Sequence, residues 1–231
     1  MDRSPALSAE EFRLPSHGAE RFSAAVGGRD IIKLLNVLGD RPTDKAGVRL
    51  FNVPGLDRYL ALDGVVGANA GSLMPSRPRP VRALLFDKTA STNWSLAWHQ
   101  DRVIAVRDRR EVPGFGPWSR KAGAFHVAPP SEVLSRMVTL RVHLDPVPEA
   151  NAPLLIAPGS HRLGRIAEPD IPDVVSACGI GACTATAGDV WAYATPILHA
   201  SERAAEPARR RVLQVDYAVD DLPGGLIWLG V

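Results

Sequence analysis

The residues of this chain best suited to chemistry are His99-Gln100-Asp101, then His199 98 positions beyond Asp101, then Arg210 eleven further on. Side chains alternate along an extended strand, so His99 and Asp101 point to the same side. A second imidazole from another strand, His199, would complete three ligands on one face of a metal. Two histidines and a carboxylate with open positions opposite them are the set expected at non-heme Fe(II) oxygenase centres. Arg210 could hold the carboxylate of a co-substrate by a two-pronged ion pair.

These side chains need a scaffold, and the pattern of the chain describes one. Residues 1 to about 72 read as mostly helical. Ser8-Ala-Glu-Glu has the form of a helix cap. Ile31, Ile32, Leu34, Leu35 and Leu38 recur at helical spacing, and Gly39 would end that helix. Leu56 to Leu62 forms a second short amphipathic piece. The proline-rich stretch 74–80 is then extended.

Beyond it the texture becomes that of strands, at 81–86, 93–98, 102–106, 137–144, 153–158, 189–195 and 211–219. Many short strands after a helical start predict a mainly β fold, a barrel-like or jelly-roll sheet pair with helices packed outside. The expected organisation is a single domain spanning 1–231. A helical part, 1–80, packs on a β core, 81–231, that contains a long Gly- and Pro-rich loop at 107–130. Loops of that length inside compact domains are often lids or binding loops.

Composition narrows the function classes. The chain has 231 residues, 45% hydrophobic and 23% charged, enough apolar content for a sizeable core. Its 27 basic and 25 acidic residues give a net charge of only +2, so neither a nucleic-acid nor a membrane footprint is expected. The run Arg209-Arg210-Arg211 is too short to alter that. No stretch reaches the length of a membrane span, and the opening MDRSPALSAEEFRL has no apolar signal segment, so a cytoplasmic protein is expected. Cys178 and Cys183 have neither zinc spacing nor a disulfide framework around them.

His-x-Asp occurs twice, and the second occurrence, His143-Leu144-Asp145, competes with the first. Asp145 precedes a proline-rich turn, where aspartate is common for its own local hydrogen bonds. His99-Asp101 follows a strand, with Trp94 and Trp98 available to wall a pocket. It also leaves room before His199 for the intervening strands. At the other end, Arg210, Val212, Gln214 and Asp216 share one face of a strand. Arg211, Leu213, Val215 and Tyr217 share the other, more apolar one. Parity leaves open whether Arg210 or Arg211 faces the site.

Four runs in order, LLFDKTASTNWSLAWHQD (84–101), NAPLLIAPGSHRLG (151–164), GDVWAYATPILHAS (188–201) and RRVLQVDYA (210–218), resemble the phytanoyl-CoA dioxygenase family of Fe(II)/2-oxoglutarate oxygenases. The resemblance spans roughly 81–219. It implies a double-stranded β-helix, a distorted cupin-like jelly roll, with His99, Asp101 and His199 as iron ligands. Arg210 would pair with the distal carboxylate of 2-oxoglutarate, and Ser201 would hydrogen-bond it. Arg141, His143 and Lys88 would face the same co-substrate. His161, in the Pro-Gly-Ser-His turn, is expected to be structural. Ala152 stands where the family's turn usually has glycine, which should alter the turn.

The activity implied is hydroxylation of an unactivated C–H bond of a small-molecule or lipid-like substrate. Fe(II), 2-oxoglutarate and O2 would be consumed or held as cofactors. Related halogenases replace the iron-binding carboxylate by a small residue, and Asp101 is present here. Gln100 would point away from the metal and support a ligand from behind. Trp98, Trp118, Phe125 and His126 are candidates for substrate contact, with ordinary packing as the competing reading. Two other functions remain open from the residues alone. One is a cupin-type metal barrel without 2-oxoglutarate chemistry; the other is a non-catalytic ligand-binding member of the fold. Oligomeric state is left open.

Overall fold

The computed structural model describes residues 8–40 and 47–231; the first seven residues of the opening segment and 41–46 lie outside the described residues. The N-terminal part comprises α1 (Leu14–His17), β1 (Ala19–Phe22), α2 (Gly28–Leu38), β2 (Val48–Leu50), α3 (Asp57–Leu60) and α4 (Gly67–Leu73). Next come β3 (Arg79–Lys88), β4 (Leu96–His99), β5 (Ile104–Val106), β6 (Trp118–Lys121), β7 (Ala124–Val127) and α5 (Ser131–Ser135). The remainder holds β8 (Val138–His143), β9 (Leu154–Ile156), α6 (Ile171–Cys178), β10 (Gly181–Cys183), β11 (Val190–Ala194), β12 (His199–Ser201) and β13 (Arg210–Ala218).

All strand pairs are antiparallel. A major sheet runs β1-β11-β8-β13-β3-β2, a minor sheet β10-β9-β12-β4, and a small third sheet β5-β7-β6. This is the jelly-roll architecture expected from the sequence, with few helices. Alternation on the major sheet explains its two faces. Ala83, Leu85, Leu140, Val142, Val190, Ala192, Leu213, Val215 and Tyr217 face outward, packing against Ile31, Leu34 and Leu38 of α2 and against Tyr59, Leu60, Val66 and Ala70. The i, i+3, i+7 spacing puts the three α2 residues on one stripe. Burying each aliphatic side chain stabilises by about 1.5–3 kcal/mol. The alternate residues of the same strands face inward. Phe12, Leu154, Ile156, Trp191, Tyr193 and Ile197 form an apolar cluster around one end of that interior.

The N-terminal part, expected to be mostly helical, holds α1 to α4 and also β1 and β2, the two edge strands of the major sheet. Ser8 does engage Glu11, its N and Oγ both donating to Oε2 at 2.8 and 2.7 Å, but the chain there makes a turn rather than a helix. The 107–130 segment is not one long loop, because it contains the β6–β7 hairpin, which pairs with β5. The hairpin turns on Ala122 and Gly123, both with positive φ (49° and 83°), the signature of a tight two-residue turn. Gly39 ends α2 as expected.

Candidate active site

The turn between β11 and β12 carries the chain from the major to the minor sheet and sets His199 in the interior. There β12 lies between β9 and β4, and His199 is the direct cross-strand partner of His99. The ring centroids are 4.3 Å apart. Each Nδ1 lies against the carbonyl two residues back on its own strand: Ala97 O at 2.8 Å for His99, Ile197 O at 3.0 Å for His199. With Nδ1–H donating there, each Nε2 keeps its lone pair for a metal. Burial pushes the His199 imidazole down to about 4 against the pull of Asp101, so the ring is neutral, as a ligand must be.

Asp101 lies just past the end of β4. One donor atom from each of His99, Asp101 and His199 falls within 4.8 Å of the others. Burial alone would raise the Asp101 carboxyl, but the neighbouring Arg82 guanidinium outweighs it and holds the group below its ordinary value. This donor set, two imidazoles whose Nε2 atoms are free and a carboxylate, fits Fe(II). The competing pair is not assembled. His143 is buried on β8, while Asp145 is occupied by Arg211 through hydrogen bonds of 2.8, 2.8 and 2.7 Å.

That ion pair also answers the parity question. Arg211 is tied to Asp145, and Arg210 is buried in the interior. The Nη1 of Arg210 donates to the carbonyls of Asn151 and Ala152, while its Nε has no partner. Ala152 adopts φ 49°, ψ 68°. The turn expected to be altered by alanine is therefore a left-handed one that presents its carbonyl to Arg210. Lys88 is the cross-strand partner of Arg210. Its ammonium donates to Trp94 O at 2.6 Å, Ser201 Oγ at 3.1 Å and Glu202 O at 3.1 Å. Arg141 donates to Gln214 Oε1 at 2.8 Å and stacks over Phe86, and its Nε is also unpaired. Both ring nitrogens of buried His143 lack a partner.

Three buried cations thus share one end of the interior, and none of them forms an ion pair with a carboxylate among the described residues. The electrostatic consequences follow. Burial, then Arg210 and Arg141, lowers Lys88 to about 7. Burial, then Arg141, lowers Arg210 to about 9. Burial, then Arg141 and Arg210, pushes His143 well below its usual value. Buried charge without a counter-ion is expensive, so this end of the interior is built for an anion. A dicarboxylate with one end here and the other near the two histidines fits.

A cleft of about 610 Å³ has Asp101 in its wall. Gly114, Gly116 and Ala128 from the 107–130 segment, Pro129 to Glu132, and His161 to Arg165 apart from Leu163 form much of its rim. His161, expected to be structural, lines this cleft and also packs on Gly18, where any Cβ would collide with its ring. Gln100 points away from the metal cluster, as alternation requires. It donates to Gly164 O at 2.9 Å and Pro196 O at 2.7 Å, and accepts from Ile166 N at 3.0 Å.

The four aromatic candidates are not gathered in that cleft. Trp98 lines a separate groove of about 820 Å³ between β4 and α6, alongside His99. Trp118 and Phe125 pack against a cluster containing Ile104, Val106 and Trp228. His126 is fully buried, with Nδ1 against Ala124 O and Nε2 unpaired. Sequence reasoning did not single out Arg82, which joins Asp101 to Asp216. The available signal was its phase, since 82, 84, 86 and 88 share the inward face of β3. Cys178 and Cys183 are free thiols. No helix among the described residues is long and apolar enough to cross a membrane.

Comparison with known proteins agrees with this geometry. The family model described as phytanoyl-CoA dioxygenase (PhyH) matches residues 72–212, more than half of the chain. No curated protein matches the sequence. Among solved structures, HygX from Streptomyces hygroscopicus with iron bound is similar at TM-score 0.61 and 16% identity, covering 92% of this chain and 87% of that one. EctD from S. alaskensis with 2-oxoglutarate and 5-hydroxyectoine gives 0.65 and 17%, covering 89% and 73%. The non-heme alpha ketoglutarate dependent carbocyclase SnoK from nogalamycin biosynthesis gives 0.59 and 16%, covering 99% and 91%. At these identities the structural likeness concerns the fold, while the family match covers the whole minor sheet, strands β3, β8 and β11 of the major sheet, and the three metal-site residues. The chain belongs to the phytanoyl-CoA dioxygenase family and is a non-heme Fe(II)/2-oxoglutarate-dependent oxygenase.

Proposed function

We propose that this oxygenase hydroxylates an unactivated C–H bond of a small molecule, with His99, Asp101 and His199 as the iron ligands. Arg210 and Lys88 would hold the distal carboxylate of 2-oxoglutarate. The observation that carries this reading is the pairing of a two-imidazole, one-carboxylate donor set with buried cations that have no carboxylate partner among the described residues. When bound, iron and the keto acid supply oxidative decarboxylation coupled to oxygen insertion into a C–H bond.

The chain's own part is placement. Nδ1–H bonds fix both imidazole tautomers. Lys88 and Arg210 orient the co-substrate by its far end, with Ser201, already bonded to Lys88, at hand to donate to it. Arg141, anchored by Gln214, and His143 would face the co-substrate beside them. Retention of Asp101 keeps the coordination position that halide would need occupied by carboxylate, which favours hydroxylation over halogenation. The cleft of about 610 Å³ beside Asp101 is of the size that encloses small organic ligands.

The test is a panel of small metabolites and acyl compounds screened for stimulated succinate release. Hits should give a product one oxygen atom heavier. Succinate release without such a product for every stimulating compound would count against hydroxylation.

A further inference from the structure

Asp101 has two carboxylate oxygens, and a facial set of three protein ligands uses one of them. The other needs its own partner inside the protein. Arg82 provides it: Nη2 lies 3.4 Å from Asp101 Oδ2, while Nε donates to Asp216 Oδ2. Asp216 is in turn fixed from its far side, accepting from Thr139 Oγ1 at 3.0 Å, and Thr139 is bonded to Thr195 at 3.0 Å.

The register makes this a rigid row. Arg82 on β3, Asp216 on β13 and Thr139 on β8 are successive cross-strand partners, all buried and all inward. The β13 register shifts immediately after Asp216, a local irregularity of the kind that re-aims a side chain beside a site. His126, whose charge state also faces Arg82, is kept neutral by burial and does not compete for the carboxylates.

We infer that Arg82, braced by Asp216, is a positioning residue that holds Oδ2 of Asp101 away from the metal, so that the carboxylate binds through one oxygen and the neighbouring position stays open for 2-oxoglutarate. The inference rests on the assignment of Asp101 as a ligand. A guanidinium can span two carboxylates at fixed angles; an ammonium cannot. Arg82→Lys keeps the charge but loses the bridge, so Asp101 is free to turn its second oxygen to the metal and occupy that position.

The experiment titrates folded wild type, Arg82→Lys, Asp216→Ala and Asp216→Asn with Ni(II) and then 2-oxoglutarate by calorimetry. The Fe(II)–2-oxoglutarate charge-transfer band is followed anaerobically and thermal unfolding is recorded alongside. Arg82→Lys should retain Ni(II) yet bind 2-oxoglutarate roughly tenfold more weakly, the scale expected for the loss of a residue that orients a ligand, with a weakened or shifted band. Asp216→Ala should reproduce this, and Asp216→Asn, which still accepts from Arg82, should fall between it and wild type. If Asp216→Ala does not fold, the asparagine variant carries the comparison. A lower unfolding temperature with unchanged 2-oxoglutarate affinity and an unchanged band in Arg82→Lys would make Arg82 a purely structural ion pair and overturn the inference. Wild type that takes up no metal would instead overturn the ligand assignment itself, and the inference with it.

Discussion

Lys88 and Arg210 are directly opposed on β3 and β13, both buried and both cationic. Like charges facing each other across a ladder destabilise a sheet, so their juxtaposition is a cost that an anion must offset. Removing the guanidinium should therefore weaken 2-oxoglutarate selectively. A charge-assisted hydrogen bond is worth about 1.5–3 kcal/mol, and 1.4 kcal/mol is tenfold in affinity. Arg210→Ala should raise the Kd for 2-oxoglutarate about 10–100-fold while metal affinity is retained. Arg211→Ala, which only releases Asp145, should leave 2-oxoglutarate binding near wild type. Calorimetry on the Ni(II)-loaded protein checks both; the reverse pattern would move the anion site to Arg211.

The same pair makes co-substrate binding depend on pH. Lys88 is lowered to about 7 by burial and by Arg210 and Arg141. In the free protein its ammonium is therefore lost as pH rises through 7. A bound dicarboxylate favours the charged form and raises that value, so binding takes up a proton above pH 7. Affinity should fall as pH rises, by roughly tenfold between pH 7 and 8.5 by linkage, and Lys88→Met should flatten the dependence. For stability of the free protein the sign is the same for any base with a lowered value: the cost of burying Lys88 is full below pH 7 and is relieved as pH rises toward its unfolded value. A flat 2-oxoglutarate affinity across pH 6.5–8.5 in wild type would contradict this.

Ala152 offers a stability test separate from catalysis. Its left-handed conformation costs an L-residue about 1–2 kcal/mol, partly offset by the greater entropy a glycine loses on folding, about 0.5–1 kcal/mol. Ala152→Gly should stabilise the protein by up to about 1 kcal/mol, read as a higher denaturant midpoint with an unchanged slope. Destabilisation would mean that this backbone is not left-handed.

Gln100 sits between two metal ligands yet serves the opposite face. Its amide satisfies Gly164 O, Pro196 O and Ile166 N. Gln100→Ala leaves buried backbone groups unpaired, a loss of about 1–3 kcal/mol, and loosens the wall of the cleft at 164–166. Denaturation should show that loss with little change in metal affinity. A collapse of metal binding at full stability would place Gln100 in the metal's own environment instead.

The long strands were readable because their alternation is strong. The even positions of β13 are Arg210, Val212, Gln214 and Asp216, while the odd ones include Leu213, Val215 and Tyr217, so two faces are visible before any fold is known. His99-x-Asp101 was readable for the same reason. The face that turns inward was not, because it depends on what covers the other. Leu213, Val215 and Tyr217 pack under α2 and the α3–α4 region, and Asp145 claims Arg211 from outside. The short strands escaped for a different reason. β1 and β2 have four and three residues, too few to show a period, and exist because β11 and β3 offer them an edge. The β6–β7 hairpin turns on Ala122-Gly123, a weaker signal than Asn-Gly. The Arg82–Asp216 bridge is a contact between positions 134 apart in sequence, and only register brings them together.

His99, Asp101 and His199 are expected to hold one Fe(II) that also takes 2-oxoglutarate. Anaerobic titration of the purified protein with Fe(II) and 2-oxoglutarate, followed by visible absorption, tests it directly. A saturable metal-to-ligand charge-transfer band should develop in wild type and vanish in folded His99→Ala. Folded wild type that develops no band, or a His99→Ala variant whose band is undiminished, would contradict the account.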